Sequence, residues 1–159
     1  YTLPVVDADL ATLVASDFAP FASLADMPIA MTSHIVYAAI DPNRPATTSP
    51  TVIRDIIRGR IGFDGLLMSD DVSMEALSGD YATRAHATYA AGCDVMLHCN
   101  GRIEELRIIA AAAPPLTGLA GERAARALSR RRTPRAIDRD ACHEELLTLA
   151  GGVGWGPKS

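Results

Sequence analysis

Three short, mostly apolar runs occur along this chain, and each stops at polar residues. They cover residues 29–34, 65–69 and 94–99, and Asp70 and Asp71 follow the second run directly. Apolar runs of this length are typical of strands that are covered on both faces of a parallel sheet. Their ends recur after about 30 to 36 residues with a helical segment between them, which is the spacing of successive βα units. The pattern therefore predicts an α/β fold.

Apolar residues at helical spacing predict helices between and after these strands. Residues 7–24 suit a helix that is interrupted or kinked near Pro20, because proline lacks the amide donor that a helix interior needs. Ser49 and Pro50 form a good N-cap and first turn for a helix over residues 52–61. Further helices are predicted over residues 81–91 with Gly92 as a left-handed cap, over residues 103–110 before Pro114-Pro115, and over residues 119–128 and 139–149.

Polar side chains at the ends of the predicted strands are the candidates for chemistry. Active-site groups of parallel α/β folds collect at the carboxyl ends of the strands. Asp70 leaves its strand directly and can act as a nucleophile, a general base or a metal ligand. Asp71 should point elsewhere and cap the next turn through amides such as that of Ser73. From the residues alone, an equally good interpretation is that both carboxylates only cap that turn.

We call the carboxyl ends of the predicted strands the rim. The other polar residues near it have a structural interpretation as well as a functional one. His34 can contact a substrate or be satisfied by backbone groups at its strand end. Asn100 suits a helix cap better than a ligand, and His98 is predicted to face the helices. Asn43 and Arg44 lie in a long loop, where they bind a polar substrate or face water.

Composition excludes several classes of function for this segment. No apolar run approaches the ~20 residues of a membrane helix. A net charge of −4 and a pI near 5.5 give no electrostatic footprint for nucleic acid, and the basic run at 130–135 suits a solvated helix end. The only lysine, Lys158, lies in a Gly-rich tail, which excludes Schiff-base aldolases, phosphate-loop NTPases and lysine bases.

The cysteines and the first residue bear on localisation and completeness. Cys93, Cys99 and Cys142 are an odd number without metal-type spacing, which favours reduced thiols in a cytoplasm. The chain begins at Tyr1 without a signal-like segment, so we expect a piece of a longer protein. Three strands are too few to close a barrel, and the remaining part is expected upstream.

Longer motifs add a family resemblance that covers roughly residues 1–115. They are Leu3-Pro4 with Asp7, Ala-Met-Thr-Ser-His-Ile-Val-Tyr at 30–37, Asp-Pro-Asn-Arg-Pro-Ala at 41–46, Ser49-Pro50, Gly-Phe-Asp-Gly at 62–65, Ser-Asp-Asp-Val-Ser-Met at 69–74, and Ala-Gly-Cys-Asp at 91–94 leading to Cys99-Asn100. In order and spacing they resemble the C-terminal half of family 3 glycoside hydrolases, specifically bacterial β-N-acetylhexosaminidases that remove N-acetylglucosamine from cell-wall muropeptides.

The resemblance implies a fold and a domain organisation. Members of this family fold as a (β/α)₈ TIM-type barrel, so the three strands here would be its sixth, seventh and eighth. Residues 1–115 would be the C-terminal portion of that barrel, residues 116–150 C-terminal helices that match the family only loosely, and residues 151–159 a flexible tail.

The resemblance also implies a retaining mechanism, in which an aspartate forms a covalent glycosyl-enzyme intermediate. Asp70 takes that role, His34 lies beside the sugar, and Met74 and Asn100 are further candidate substrate contacts. The substrate would be an N-acetylglucosamine-containing saccharide in cytoplasmic cell-wall turnover, with no metal, cofactor, membrane or nucleic acid. The oligomeric state stays open.

One part of this mechanism has no counterpart in the chain. In the resembled subgroup the acid/base is a histidine paired with an aspartate on a loop near a Lys-His-Phe-Pro-Gly-His segment, and neither occurs here. We therefore expect the 159-residue chain alone to be inactive and poorly folded, because three βα units leave strand edges unpaired.

Two alternative functions remain at this point. A metal-dependent hydrolase on a similar barrel would use Asp70, Asp71 and His34 as ligands, although the usual metal-binding spacings are absent. A catalytically dead relative would only bind sugar. A phospho-receiver domain also carries paired acidic residues, but it needs them on its first strand and a lysine on a later one.

Overall fold

The computed structural model describes residues 3–151 of the chain. Its strands are β1 (Val5–Val6), β2 (Ile29–Met31), β3 (Val36–Tyr37), β4 (Leu66–Asp71) and β5 (Val95–Leu97). Its helices are α1 (Leu10–Ala15), α2 (Ala19–Ala22), α3 (Val52–Arg60), α4 (Tyr81–Ala91), α5 (Ile103–Ala112), α6 (Gly118–Ser129) and α7 (Arg139–Leu149), with a 3₁₀ turn at Ala46–Thr48. The predicted tail falls mostly on residues 152–159, outside the described residues.

The strands form two parallel sheets. The larger has the order β2-β4-β5, with Met31 opposite Met68 and Met68 opposite Val95. The smaller pairs β1 with β3. The three predicted strands, their parallel direction and the α/β class are thus confirmed. The smaller sheet was not predicted, because strands of two residues leave no pattern in the sequence. The placement of the larger sheet as strands six to eight of a barrel stays a prediction.

Strand β4 is longer than its apolar run indicates. The prediction ended this strand at Ser69 and placed Asp70 and Asp71 in a turn, and this was wrong. Asp71 still pairs with Leu97 of β5, and the amide of Val72 donates to the Leu97 carbonyl at 3.0 Å. Hydrogen bonds to β5 therefore extend β4 beyond its apolar residues.

Helix α3 begins as predicted but winds differently. The hydroxyl of Ser49 accepts the amide of Val52 at 3.2 Å and donates to Asp41 at 2.6 Å, so the helical turn that starts at Pro50 is capped. The helix then takes the wider π form, since the amide of Ile61 donates to Ile56, five residues earlier. The predicted apolar face is confirmed where Val52 and Ile56 are buried.

The remaining helices follow their predicted ends closely. The helical segment over residues 7–24 is interrupted near Pro20, as predicted, and forms two helices. Pro20 lies in the first turn of the second helix, where no amide donor is needed. Helix α4 begins after Asp80, whose carboxylate accepts the amide of Thr83, and ends at Gly92 with a φ of 112°. A left-handed residue at that position favours glycine.

The core lies between the helices and the sheets. One cluster behind β4 contains Ile53, Phe63, Leu67, Ala91 and Cys93, and a second joins Leu13 and Phe18 to Ile56. Helix α7 buries none of its residues. The core clusters thus form a packed layer beneath the carboxyl ends of β2, β4 and β5. Among residues 3–151, no helix is both long and apolar enough to cross a membrane.

Candidate active site

Both carboxylate oxygens of Asp71 accept hydrogen bonds at the carboxyl end of β4. Its Oδ1 accepts the amides of Ser73 at 2.9 Å and Cys99 at 3.1 Å, and its Oδ2 accepts the Ser73 hydroxyl at 2.7 Å. Burial raises the pKa of Asp71, but these hydrogen bonds together outweigh it and lower the pKa below its usual value. Asp71 thus caps the following turn through Ser73, as expected, and also ties β4 to the segment after β5.

Asp70 has the opposite character. Its Oδ1 accepts the amide of Asp71 at 2.8 Å, and its own amide lies 3.3 Å from the hydroxyl of Thr32. Within residues 3–151, Oδ2 of Asp70 accepts no hydrogen bond and neither oxygen forms an ion pair. The side chain is half-buried at the rim. One oxygen of Asp70 is therefore available to a ligand.

His34 is buried between the two neighbouring strand ends. Its Nε2 lies 2.9 Å from the backbone carbonyl of Asp71, and its Nδ1 lies 2.9 Å from the hydroxyl of Thr47. A carbonyl only accepts, so Nε2 carries the proton and donates. Both ring nitrogens therefore have protein partners, which matches the structural interpretation of His34. Its predicted contact with a sugar stays a prediction.

Met74 and Asn100, the other predicted substrate contacts, differ in what holds them. The amide of Met74 donates to the Asp71 carbonyl at 3.2 Å, and its side chain is 46% exposed. Asn100 uses Oδ1 to accept the amide of Arg102 and Nδ2 to donate to Glu105 at 2.6 Å. Asn100 thus closes the turn that precedes α5. The N-cap residue of that helix is Arg102 and has no side-chain cap, so the expected helix cap at Asn100 is wrong.

Several residues that shape this rim were missed by sequence reasoning. Thr32, Thr47 and Ser69 are buried hydroxyl residues below the carboxylates. Thr32 Oγ1 lies 2.8 Å from Thr47 Oγ1, and Ser69 Oγ accepts the amide of Leu97 at 3.0 Å. Their sequence neighbourhoods contain no signal for these contacts, because each partner is 15 or 28 residues away.

The residues present do not fit a resident metal ion. Asp71 already accepts three hydrogen bonds, and both nitrogens of His34 are engaged. Across the described range 3–151, no three His, Cys, Asp or Glu side chains form a metal-type cluster. The ligand set that the metal-dependent alternative needs is therefore not assembled.

A cavity of about 290 Å³ lies away from these carboxylates. Its walls are mostly apolar and include Phe18, Met31 and Ile56. It borders β2, reaches Thr32 and Ser33 below the rim, and has no carboxylate among its lining residues. The chemistry available at the rim comes from Asp70.

The sequence matches the family model described as glycosyl hydrolase family 3 N terminal domain over residues 1–130. Among curated proteins it is 44% identical over 119 residues to a beta-hexosaminidase of Chromobacterium violaceum, covering 72% of this chain and 33% of the relative. A beta-hexosaminidase of Aromatoleum aromaticum is 36% identical over 140 residues, covering 86% and 38%. The chain thus spans about a third of the length of these relatives.

A solved structure gives the same similarity in three dimensions. NagZ from Neisseria gonorrhoeae in complex with N-trifluoroacetyl-D-glucosamine superposes with a TM-score of 0.69 at 28% identity. The match covers 94% of this chain and 42% of that one. The fold described above is therefore similar to one part of that longer chain.

Proposed function

The chain belongs to glycosyl hydrolase family 3, and from this premise we propose that it contributes the nucleophile to a retaining β-N-acetylhexosaminidase. Asp70 is that nucleophile. The substrate is a saccharide with a terminal β-linked N-acetylglucosamine. Relatives named beta-hexosaminidase and a structural neighbour that holds an N-acylated glucosamine support this substrate class.

The difference between the two adjacent carboxylates is the observation that carries the proposal. Asp71 accepts three hydrogen bonds, whereas Oδ2 of Asp70 accepts none from residues 3–151. A carboxylate oxygen without a donor keeps its lone pairs for bond formation. Oδ1 of Asp70 is meanwhile held by the amide of Asp71, which fixes the direction of the free oxygen.

The reaction takes two displacements at the sugar C1 carbon. In the first, Oδ2 of Asp70 bonds to C1 while the bond from C1 to the glycosidic oxygen breaks, and an acid gives that oxygen a proton. In the second, a water oxygen bonds to C1, a base takes its proton, and the bond to Asp70 breaks. Asp70 returns as a free carboxylate, so atoms and charge balance over the cycle.

The acid/base group is assigned to the family's histidine and aspartate loop, which has no counterpart in this sequence. We accordingly place the three parallel strands at positions six to eight of the barrel, in its C-terminal half. The 159-residue chain alone should then not hydrolyse 4-nitrophenyl N-acetyl-β-glucosaminide. Measurable turnover by that chain would contradict this assignment.

The biological substrate class follows from the same family. We propose cell-wall muropeptides as the source of the terminal N-acetylglucosamine, handled in the cytoplasm during cell-wall turnover. Met74, with its half-exposed side chain beside Asp71, is the proposed sugar contact on this part of the rim. His34 holds the Asp71 carbonyl and so acts on Asp70 through the backbone.

A chimera tests Asp70 in a domain of full length. Residues 3–130 of this chain replace the matching segment of the Chromobacterium violaceum relative, and we call the product the completed domain. Asp70→Asn should lower kcat by about 10⁴-fold or more, because an amide in place of the carboxylate cannot form the covalent intermediate. Steady-state hydrolysis of 4-nitrophenyl N-acetyl-β-glucosaminide measures it, with circular dichroism as the check on folding.

Asp71→Asn is the matched control for that experiment. An asparagine oxygen can still accept the amides of Ser73 and Cys99, so the turn is kept and kcat should fall by no more than about tenfold. The assignment is wrong if Asp71→Asn abolishes hydrolysis while Asp70→Asn retains it.

A further inference from the structure

One glutamate organises the rim loop, which we define as residues 98–102 between β5 and α5. Oε2 of Glu105 accepts Nε2 of His98 at 2.9 Å and Nδ2 of Asn100 at 2.6 Å. Its other oxygen lies 3.5 Å from Nη1 of Arg102. Three side chains of the rim loop thus converge on a single carboxylate that belongs to α5.

The contact between His98 and Glu105 is shielded from water. The two side chains are 3% and 16% exposed, and the ring of Tyr81 packs edge-on against His98 at 5.6 Å. Among the described residues, Nδ1 of His98 is buried without a partner, so Glu105 alone holds the ring by hydrogen bonding. Removal of Glu105 would leave Nε2 without its acceptor as well.

Glu105 is a carboxylate at any pH where a hydrolase works. Hydrogen bonding from Asn100 is the main cause that lowers its pKa to about 2, burial opposes it, and His98 and Tyr81 lower it further. The interaction therefore persists across the neutral and mildly acidic range.

The rim loop reaches the carboxylates through one backbone group. The amide of Cys99 donates to Oδ1 of Asp71 at 3.1 Å. The amide of Asp71 in turn donates to Oδ1 of Asp70 at 2.8 Å. Hydrogen bonds, joined by the backbone of residues 98–100 and by Asp71 itself, therefore connect Glu105 to Asp70.

We propose that Glu105 is a positioning residue for Asp70, because it fixes the rim loop and so keeps the Cys99 amide on Asp71. This inference rests on the proposed role of Asp70 and adds to it a residue 35 positions further along the chain. Glu105 acts through Cys99 and Asp71 and does not touch the substrate.

The neighbouring Glu104 offers a matched control on the same helix. Its side chain is 76% exposed and, among residues 3–151, pairs only with Arg107, at 3.0 Å. Glu104→Ala removes the same number of atoms and the same charge as Glu105→Ala, and it leaves the rim loop alone. Differences between the two variants therefore report the position of the carboxylate rather than its charge.

The experiment measures the loop and the chemistry separately in the completed domain. Hydrogen exchange by mass spectrometry on peptides that cover residues 97–102 follows the Cys99 amide, and steady-state kinetics give kcat and KM. Glu105→Ala should speed exchange of that amide by about tenfold and lower kcat by about tenfold, with KM within twofold. Glu105→Gln keeps one acceptor oxygen, so its exchange rate and its kcat should lie between those of Glu105→Ala and of the unmutated domain. Glu104→Ala should have the exchange rate and the kcat of the unmutated domain.

A purely structural role is distinguished by combining variants. In an Asp71→Ala background, which removes the acceptor of the Cys99 amide, Glu105→Ala should lower kcat by less than twofold, because the link that it acts through is already absent. A full tenfold further loss there would overturn the proposal, as would unchanged exchange of the Cys99 amide in both Glu105 variants. If Glu105→Ala does not fold, Glu105→Gln decides.

The proposed function fails in a different way. If Asp70→Asn keeps full activity, Asp70 is not the nucleophile, whatever the exchange of the Cys99 amide shows. If Asp70→Asn is inactive and Glu105→Ala changes neither exchange nor kcat, only the positioning role is wrong.

Discussion

The two ends of the three-stranded sheet both carry aspartates, and they use them in opposite ways. At the amino end, Asp94 pairs with Arg58 at 2.8 Å and with Arg123 at 3.1 Å, and Asp64 pairs with Arg123 at 2.7 Å. Arg58 also donates to the carbonyl of Gly65 at 2.8 Å. Each of these carboxylates has an arginine partner, and the arginines join α3 and α6 to the strands.

At the carboxyl end no arginine pairs with either aspartate within residues 3–151. Asp71 is held by amides and a hydroxyl, and Asp70 has a free oxygen. An arginine on Asp70 would occupy the lone pairs that a nucleophile needs and would lower its basicity. The amino end of the sheet therefore holds its carboxylates in ion pairs, whereas the carboxyl end keeps one carboxylate oxygen available.

The largest effect on stability is expected at the amino end. Asp94→Ala leaves Arg58 and Arg123 without their shared partner and the amide of Leu67 without its acceptor at 2.9 Å. The Asp94 side chain is only 6% exposed, so the free energy of unfolding should fall by about 3 kcal/mol. Urea unfolding of the completed domain measures this change.

The same variant tests the division between the two ends. The kcat of the folded Asp94→Ala domain should stay within twofold, because Asp94 lies at the opposite end of β5 from the rim. A fall in kcat comparable to that of Asp70→Asn, without loss of stability, would show that the two ends are not separate.

A smaller loss of stability is expected below the rim at Thr47. Its hydroxyl lies within 3.0 Å of the Ser33 carbonyl and is completely buried beside His34. Thr47→Val keeps the shape but removes the hydroxyl, so the free energy of unfolding should fall by about 2 kcal/mol. Thr47→Ser keeps the hydroxyl and should retain most of that stability. Equal losses in both variants would assign the effect to packing rather than to hydrogen bonding.

The pH dependence of the rim follows from the lowered pKa of Asp71. Its stabilising contribution is complete above the unfolded value of 3.8 and is lost as the pH falls through the lower folded value. The difference in free energy of unfolding between the unmutated domain and Asp71→Asn should therefore shrink below pH 3.8. Urea titrations from pH 7 downwards measure it, and a difference that grows with acidification would reverse the sign.

The smallest effect is expected for an ion pair outside both ends. Arg54 and Asp55 pair at 2.6 Å on α3, but their side chains are 70% and 47% exposed. Water screens such pairs, so Asp55→Ala should leave the unfolding midpoint and kcat unchanged within error. A loss of stability as large as that of Asp94→Ala would mean that burial does not explain why the ion pairs of Asp94 stabilise the domain more than this exposed pair.

The sequence was a good guide where the structure depends on neighbours along the chain. Helix α4 with Gly92, the cap at Ser49 and the turn closed by Asp71 and Ser73 follow from local patterns. The end of β4, the buried partners of His34 and the contact of the Cys99 amide with Asp71 depend on contacts between distant segments. Local hydrophobic periodicity contains no information about such partners.

Chemical rescue by azide distinguishes whether Asp70 or Asp71 attacks the sugar. In the completed domain, Asp70→Gly removes the carboxylate, and azide can enter the space and attack C1 from the same face. Azide should restore turnover of 4-nitrophenyl N-acetyl-β-glucosaminide by Asp70→Gly, and the product should be the α-glycosyl azide, identified by NMR. Rescue of Asp71→Gly with no rescue of Asp70→Gly would contradict it.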